Sequence, residues 1–203
     1  MNKSQLTNFI TKYTLGGEIK STKWTSNGDS LSTRFISGDK SVVGSVMLSK
    51  FNHLAPCELG VYNTGQLSSL LSVLGDDIEL NLSQSGDKFI SMEFEDTKRK
   101  TKSKYMLSDL SVIPTPPALK NLPDSFELGI KVDPYFVNTF ISGKGALSEA
   151  ETFTILTENG ETKIVIGYAS IASNRVTIPV ETTKYQDMEP ISFNANMFSS
   201  ILS

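Results

Sequence analysis

A short unit that occurs three times is the strongest constraint on what this chain can fold into. The segment Glu58–Val61 is matched by Glu127–Ile130, and Tyr62–Ser72 is matched by Phe193–Ser203 at the end of the sequence. Each copy predicts a strand, a polar cap and a short amphipathic helix. Because an internal repeat sets the architecture before single residues are considered, the sequence predicts a pseudo-symmetric, ring-forming protein.

Composition places the chain among globular proteins with room for two ordinary domains. It has 203 residues, 38% of them hydrophobic and 20% charged, with a formal net charge of −3. No apolar run is long enough to span a bilayer, and Met1–Gln5 lacks the apolar stretch of a signal peptide, so no membrane partner is expected. Cys57 is the single cysteine, which excludes an intramolecular disulfide and favours a reducing cytoplasm.

The periodicity of apolar residues predicts a mixed α+β chain. Leu6, Phe9, Ile10 and Tyr13 recur at helical spacing, whereas Asn159-Gly160 is typical of a hairpin turn between two strands. Helices are predicted over residues 2–13, 64–74, 134–145 and 194–203. Strands are predicted over residues 18–25, 30–37, 42–49, 57–62, 77–83, 88–95, 99–107, 125–132, 152–158, 163–170, 175–183 and 191–194.

A proline-dense segment divides these elements. Residues 111–124 hold four of the eight prolines, which predicts a stiff connector between domain one, 1–110, and domain two, 125–203. The earlier strand–helix units are each followed by three strands, but the last is followed by none. We therefore expect that domain two lacks its last three strands, because the chain is truncated or because a partner supplies the missing sheet.

The four predicted helices contain no acidic residue. At the chain's average content of 22 Asp and Glu in 203 residues, about five would be expected among them. A face bearing hydroxyl, amide and ammonium groups suits loose contact with phosphates without base reading, although small polar residues also simply face solvent or another helix. The candidate DNA-contacting residues are Lys3, Asn8, Lys12, Ser68, Asn138, Lys144 and Asn196.

Nothing in the sequence supports catalysis or a cofactor. There is no nucleophile–base pair, no glycine-rich phosphate loop and no carboxylates at catalytic spacing, so the chain is predicted not to be an enzyme. His53 and Cys57 together fall short of the four ligands of structural zinc, so no metal site is predicted.

The order of elements resembles that of DNA polymerase sliding clamps, specifically the trimeric clamp of tailed myophages, which belongs with the PCNA clamps. Local matches are Cys57–Tyr62 leading into the Leu67–Leu74 helix, and Ile191–Met197. The resemblance implies a DNA-clamp fold with two similar domains of antiparallel sheets and inner helices, assembled into a homotrimeric ring. It implies duplex DNA, DNA polymerase and an ATP-dependent clamp loader as partners, in the cytoplasm of an infected bacterial host.

The densest basic run is Lys98–Lys104, in which alternate lysines of a strand would share one face. Lysines also protect solvated edge strands from aggregation, and direct DNA contact is a further alternative. The clamp resemblance implies instead that this strand pairs with the 175–183 strand of a neighbouring subunit. The implied interface residues are Lys100, Lys102, Lys104, Val176, Ile178 and Glu181.

Apolar residues in the connector are candidates for partner binding. Val112, Ile113, Pro114 and Leu119 either pack against the domains or, as the resemblance implies, border a pocket for the short hydrophobic tail of the polymerase. The alternative to a clamp is a phage structural or assembly protein that makes only protein–protein contacts. Helices without acidic residues favour the clamp.

Overall fold

The computed structural model describes residues 1–118, 125–171 and 173–203. The chain divides into two compact units, Met1–Leu119 and Lys120–Ser203. Both units combine antiparallel sheets with helices, which confirms the predicted α+β class. None of the helices in the described ranges has both the length and the apolar content needed to cross a membrane.

The described residues form four α-helices, two in each unit: α1 is Lys3–Thr14, α2 is Thr64–Ser72, α3 is Pro134–Ala146 and α4 is Ala195–Leu202. Every one begins after an Asn or Asp whose side-chain oxygen accepts a backbone N–H of the first turn, which satisfies a donor that the helix itself leaves unpaired. These capping residues are Asn2, Asn63, Asp133 and Asn194.

Within residues 1–118, the first unit has seven strands in two antiparallel sheets. They are β1 Thr22–Ser26, β2 Ser30–Ile36, β3 Val43–Ser49, β4 Cys57–Val61, β5 Ile78–Ser85, β6 Lys88–Asp96 and β7 Lys102–Met106. One sheet has the order β3-β2-β1-β4 and the other the order β5-β6-β7.

The second unit repeats the four-stranded sheet of the first. Its strands are β8 Gly129–Ile130, β9 Thr152–Glu158, β10 Glu161–Ile166, β11 Val176–Val180, β12 Thr182–Lys184 and β13 Ile191–Asn194. The order β11-β10-β9-β13 matches β3-β2-β1-β4, since in each case the fourth strand pairs with the first and then leads into a helix. The repeat of Tyr62–Ser72 in Phe193–Ser203 is therefore confirmed in the connectivity, whereas the match of Glu127–Ile130 to Glu58–Val61 is not, because β8 pairs with β12 in a separate sheet.

Five strand predictions are wrong in extent, two of which are 18–25, observed as β1 Thr22–Ser26, and 163–170, observed as β10 Glu161–Ile166. The expected strand 125–132 shrinks to Gly129–Ile130, because its partner β12 is short and its register shifts between Thr182 and Lys184. The expected strand 175–183 is divided between β11 and β12. The expected strand 99–107 starts only at Lys102, because the preceding residues form a turn in which Lys100 has a φ of +58°.

Aromatic residues fill the core of each unit. In the first, the rings of Phe9 and Trp24 meet edge to face with centroids 5.4 Å apart. In the second, Phe198 of α4 lies 5.0 Å from Phe140 of α3 and 4.8 Å from Phe153 of β9. Burying a phenylalanine contributes about 1.5–3 kcal/mol. Although no predicted strand follows α4, its Phe198 is packed against the sheet at β9.

Candidate nucleic-acid interface

The helices of each unit form a pair that is free of acidic residues. The helix α1 packs against α2, and α3 packs against α4. None of the four helices contains Asp or Glu. Acidic residues are usually favoured in the first turn of a helix, where they interact with the positive end of its dipole. Three of the four caps are also neutral asparagines, so the positive ends of those helices are not offset by a capping carboxylate.

Helix hydroxyls are directed into their own helices. Thr7 donates to the carbonyl of Lys3 at 3.2 Å, and Thr11 donates to that of Thr7 at 2.9 Å. Ser69 and Ser200 make the same bond one turn back, at 3.0 and 3.1 Å. A hydroxyl has a single proton to donate, so these groups turn only acceptor lone pairs outward. The expectation that hydroxyl donors serve phosphates is therefore wrong for these residues.

Two of the three helix lysines are engaged within the protein. Lys3 donates from Nζ to the carbonyl of Leu74 at 2.5 Å, which ties the start of α1 to the end of α2. Lys144 is only 8% exposed, and its Nζ donates to the carbonyl of Ser148 at 2.7 Å. A lysine near a helix C-terminus is favoured at such carbonyls. The expectation of an exposed Lys144 is consequently wrong.

Lys12 and three amides are the candidate residues that remain open to solvent. Lys12 lies in the last turn of α1, where it is exposed, and Asn8 is exposed one turn earlier. Asn138 and Asn196 are exposed on α3 and α4, whereas Ser68 of α2 is half-buried. The structure thus places Asn8 and Lys12 on the helix pair of the first unit and the other two amides on that of the second.

Tyr135 is a further exposed residue on the helix pair of the second unit. It lies near the start of α3 and is 74% exposed. It precedes Asn138 by three positions, which puts both side chains on one side of the helix. Its helical spacing from Asn138 is a sequence signal for this position. Because tyrosine carries no charge, a selection based on lysines and amides does not include it.

The four lysines of the basic run Lys98–Lys104 form ion pairs within their own unit. Lys98 pairs with Asp77 at 2.9 Å, Lys102 with Glu95 at 3.0 Å and Lys104 with Glu93 at 2.8 Å. Lys100 also reaches Glu95, at 3.6 Å. Only Lys102 and Lys104 lie in β7, so the predicted face of four alternating lysines is wrong.

These ion pairs also affect the titration of the acids. The hydrogen bond from Lys102 lowers the pKa of Glu95, and those from Lys104 and Ser83 lower the pKa of Glu93. Exposed pairs of this kind are each worth about 0–1 kcal/mol. Each lysine of the run is therefore ion-paired within the unit, and the run is not an open patch of free cations.

The other predicted interface residues are only partly accessible. Val176 is half-buried, and Ile178 is 2% exposed within the core of the second unit, so the expectation of an available Ile178 side chain is wrong. Glu181 already pairs with Lys131 at 2.9 Å. The backbones of β7 and β11 are better suited to an interface, because each of these strands lies at the edge of its sheet and has a partner on one side only among the described residues.

The start of the connector borders a groove of 340 Å³. Pro114 and Pro116 of the connector line it together with Phe35 and Ile36 of β2. The Arg34 guanidinium donates to the carbonyl of Pro117, which fastens the connector to β2. The groove is therefore bordered by a part of the connector that is hydrogen-bonded to β2.

The predicted partner-binding residues of the connector differ in accessibility. Val112 is 58% exposed, whereas Ile113 is 4% exposed and lies close to Gly60 of β4. The Ile113 side chain is thus part of the unit's packing, which corrects its assignment as a partner contact. Leu119 lies outside the described residues.

No protein-family model matches the sequence, and no curated protein matches it significantly. Solved structures do resemble it. The proliferating cellular nuclear antigen (PCNA) of Entamoeba histolytica aligns with 99% of this chain and 81% of its own at 15% identity, with a TM-score of 0.61. PCNA of Thermococcus kodakaraensis aligns with 100% of this chain and 82% of its own at 11% identity, with a TM-score of 0.69. The chain has the PCNA fold.

At these identities the likeness concerns the fold alone, which agrees with the DNA-clamp fold expected from the order of elements. On the PCNA fold, the helix pairs without acidic residues belong to two units of matching strand order. The groove beside the connector belongs to the first of them.

Proposed function

We propose that this chain is the subunit of a sliding clamp that encircles duplex DNA and tethers a replicative DNA polymerase. One observation carries the proposal: on a PCNA fold, four helices lack acidic residues although the chain as a whole has a net charge of −3. A helix surface without carboxylates does not repel phosphates, whereas a protein making only protein contacts has no physical reason to exclude them.

The DNA contacts in this proposal are weak and independent of base sequence. Lys12 supplies a positive charge, while Asn8, Asn138 and Asn196 supply amide donors. Contacts to phosphates position a protein on the duplex without reading bases. A closed ring needs no more than this, because topological linkage keeps the clamp on DNA. Lys3 and Lys144 support the helices instead, and Ser68 is a weaker candidate.

Subunits would join through strand edges to form a homotrimer. The edge of β7 in one subunit would pair with the edge of β11 in the next, which extends the sheets across the boundary. Each of these strands has a partner on one side only in the described chain. Because Lys102 and Lys104 already have acidic partners, this contact would rest on backbone hydrogen bonds and the half-buried Val176, not on Glu181.

The groove beside the connector is the proposed site for the hydrophobic tail of the polymerase and for the ATP-dependent clamp loader. Its apolar residues, Phe35, Ile36 and the connector prolines, suit a short apolar segment. The resemblance to clamps of tailed myophages further suggests that the protein acts in the cytoplasm of an infected bacterium.

The test is retention on circular DNA after loading. The protein would be loaded onto a nicked circle and separated from free protein by gel filtration. Cutting the circle should release it, because the linkage is topological. If it bound linear and circular DNA equally, the clamp proposal would be wrong. Native mass at moderate concentration provides a second measurement, in which a trimer is expected.

A further inference from the structure

A second groove of 430 Å³ lies in the first unit, away from the connector prolines. It opens where β7 leaves β6. Leu107 donates its backbone N–H to Ile90 at 2.9 Å, and the next residue, Ser108, donates to Gly60 of β4, also at 2.9 Å. The chain thus passes from one sheet to the other within two residues, and the start of β6 is left facing the outer edge of β4 across the groove.

Close packing holds this geometry in place. A Cβ atom at Gly60 would collide with the carbonyl oxygen of Ser108, so only glycine permits the crossing at that point. Ile113 lies against the same glycine and is buried. The groove is therefore a fixed feature of the unit.

The outer edge of β4 is open beside the groove. Among the described residues, β4 pairs with β1 along one side, but the other side has only the isolated bridge between Gly60 and Ser108. Glu58, two residues before Gly60, lies in β4 and lines the groove. An extended peptide can add to such an edge through backbone hydrogen bonds.

The floor of the groove is apolar and its rim is acidic. Phe89, Ile90, Leu107 and Leu110 supply apolar surface, and Ile90 is 37% exposed. Three carboxylates stand at the rim, those of Glu58, Asp87 and Asp109.

Cations at the rim do not balance these acids. Lys88 lines the groove as well, but it is bound to Asp109 at 2.6 Å. Lys23 pairs with Glu58 at 3.5 Å. Three carboxylates against two lysines leave the rim one negative charge in excess, at Asp87, which complements a basic ligand and repels an acidic one.

We propose that this groove binds an extended segment of a partner protein in which apolar side chains are flanked by Lys or Arg. The apolar side chains occupy the floor, the peptide backbone meets the open edge of β4, and the basic groups face Asp87. The site is separate from the groove beside the connector, and the inference does not rest on DNA binding.

The experiment selects peptides from a random library displayed on filamentous phage, using the full-length protein as bait. The selected peptides are synthesised with a fluorophore, and their affinities are measured by fluorescence polarisation. Two variants change the groove: Asp87→Lys reverses a rim charge, and Ile90→Arg disrupts the apolar floor. Matched controls are Asp29→Lys, at an exposed residue before β2, and Met47→Arg, at a residue of β3 that is 66% exposed.

We expect selected peptides to be enriched in Lys or Arg next to apolar residues. Both groove variants should weaken their binding on the order of tenfold, while both controls bind as the parent does. Thermal melting of each variant establishes that it is folded. Selection of peptides without basic residues, selection of no peptide, or unchanged binding by folded Asp87→Lys protein would each overturn the proposal.

Discussion

The phenol oxygen of Tyr13 accepts the indole N–H of Trp24 at 3.2 Å inside the first unit. The Tyr13 hydroxyl also lies 3.3 Å from the Thr64 hydroxyl, which donates to the carbonyl of Lys20 at 3.1 Å. Tyr13, Trp24 and Thr64 are all almost completely buried. This chain of hydrogen bonds links α1, β1 and the first residue of α2, so it fixes the proposed DNA-facing helix pair against the sheet.

Tyr13→Phe should destabilise the protein without changing its fold. The substitution keeps the ring but leaves the buried indole N–H of Trp24 without its acceptor. An unsatisfied buried donor costs about 1–3 kcal/mol. Urea unfolding followed by tryptophan fluorescence measures the loss in the free energy of unfolding.

The matched control for this substitution is Tyr62→Phe, because Tyr62 is 58% exposed. Its effect should stay within about 0.5 kcal/mol of zero. Equal stability of Tyr13→Phe and the parent protein would show that the buried network contributes nothing.

The same tyrosine should make stability depend on alkaline pH. Burial raises the pKa of Tyr13 from its usual 10 to about 12. Since the unfolded chain releases the proton first, stability is fully present below pH 10 and is lost as pH rises toward 12. The full loss is about 2–3 kcal/mol.

The measurement is the free energy of unfolding of the parent and of Tyr13→Phe at several values between pH 9 and 12. Lysines titrate in both proteins, so their contribution cancels in the difference. We expect the stability gap between the two proteins to narrow as pH rises. A constant gap would contradict a raised pKa at Tyr13.

Asp96 should contribute to stability in the opposite pH range. Its carboxylate is 2% exposed and accepts the backbone N–H groups of Arg99, Gly75 and Lys98, each at 2.8 Å. These bonds, led by that from Arg99, lower its pKa. Stability from this group is thus present above the unfolded pKa and declines as pH falls below it.

Asp96→Asn replaces an accepting oxygen by an NH2 donor, so at least one of the three bonds is lost. We expect a lower melting temperature at pH 7 and a weaker decline of stability with acid. The control is Asp29→Asn, at an exposed residue, which should leave the melting temperature nearly unchanged. Equal acid dependence of Asp96→Asn and the parent protein would count against the depressed pKa.

The sequence predicts this fold well where the apolar periodicity is strong. It predicts the fold poorly where the extent of an element depends on residues far away in the sequence. Leu6, Phe9, Ile10 and Tyr13 all turn out buried on α1, because helical spacing alone puts them on one face. The strand expected over 125–132 mostly fails, since a strand exists only where a partner of suitable length lies beside it, and local sequence does not supply that information.

The candidate site also has features that the sequence predicts and features that depend on the folded structure. That the helices lack acidic residues is a property of the sequence itself and needs no coordinates. Whether a lysine there is exposed depends on its neighbours: Lys144 is buried while Lys12 is not. Sequence pattern also cannot tell that Thr11 donates its hydroxyl proton to its own helix, since the same residue type serves equally well as an outward donor.

Lys12→Glu tests the proposed DNA surface most directly. It reverses the exposed lysine charge on α1, so one phosphate contact per subunit should be replaced by repulsion. We expect the lifetime of the loaded ring on circular DNA to shorten severalfold. Each lost contact should also reduce the slope of log affinity against log salt by about 0.9. The control is Lys184→Glu, which makes the same charge change at an exposed residue of β12. Native mass and melting temperature should be unchanged in both variants. Equal lifetimes for Lys12→Glu and Lys184→Glu would mean that α1 does not face the DNA.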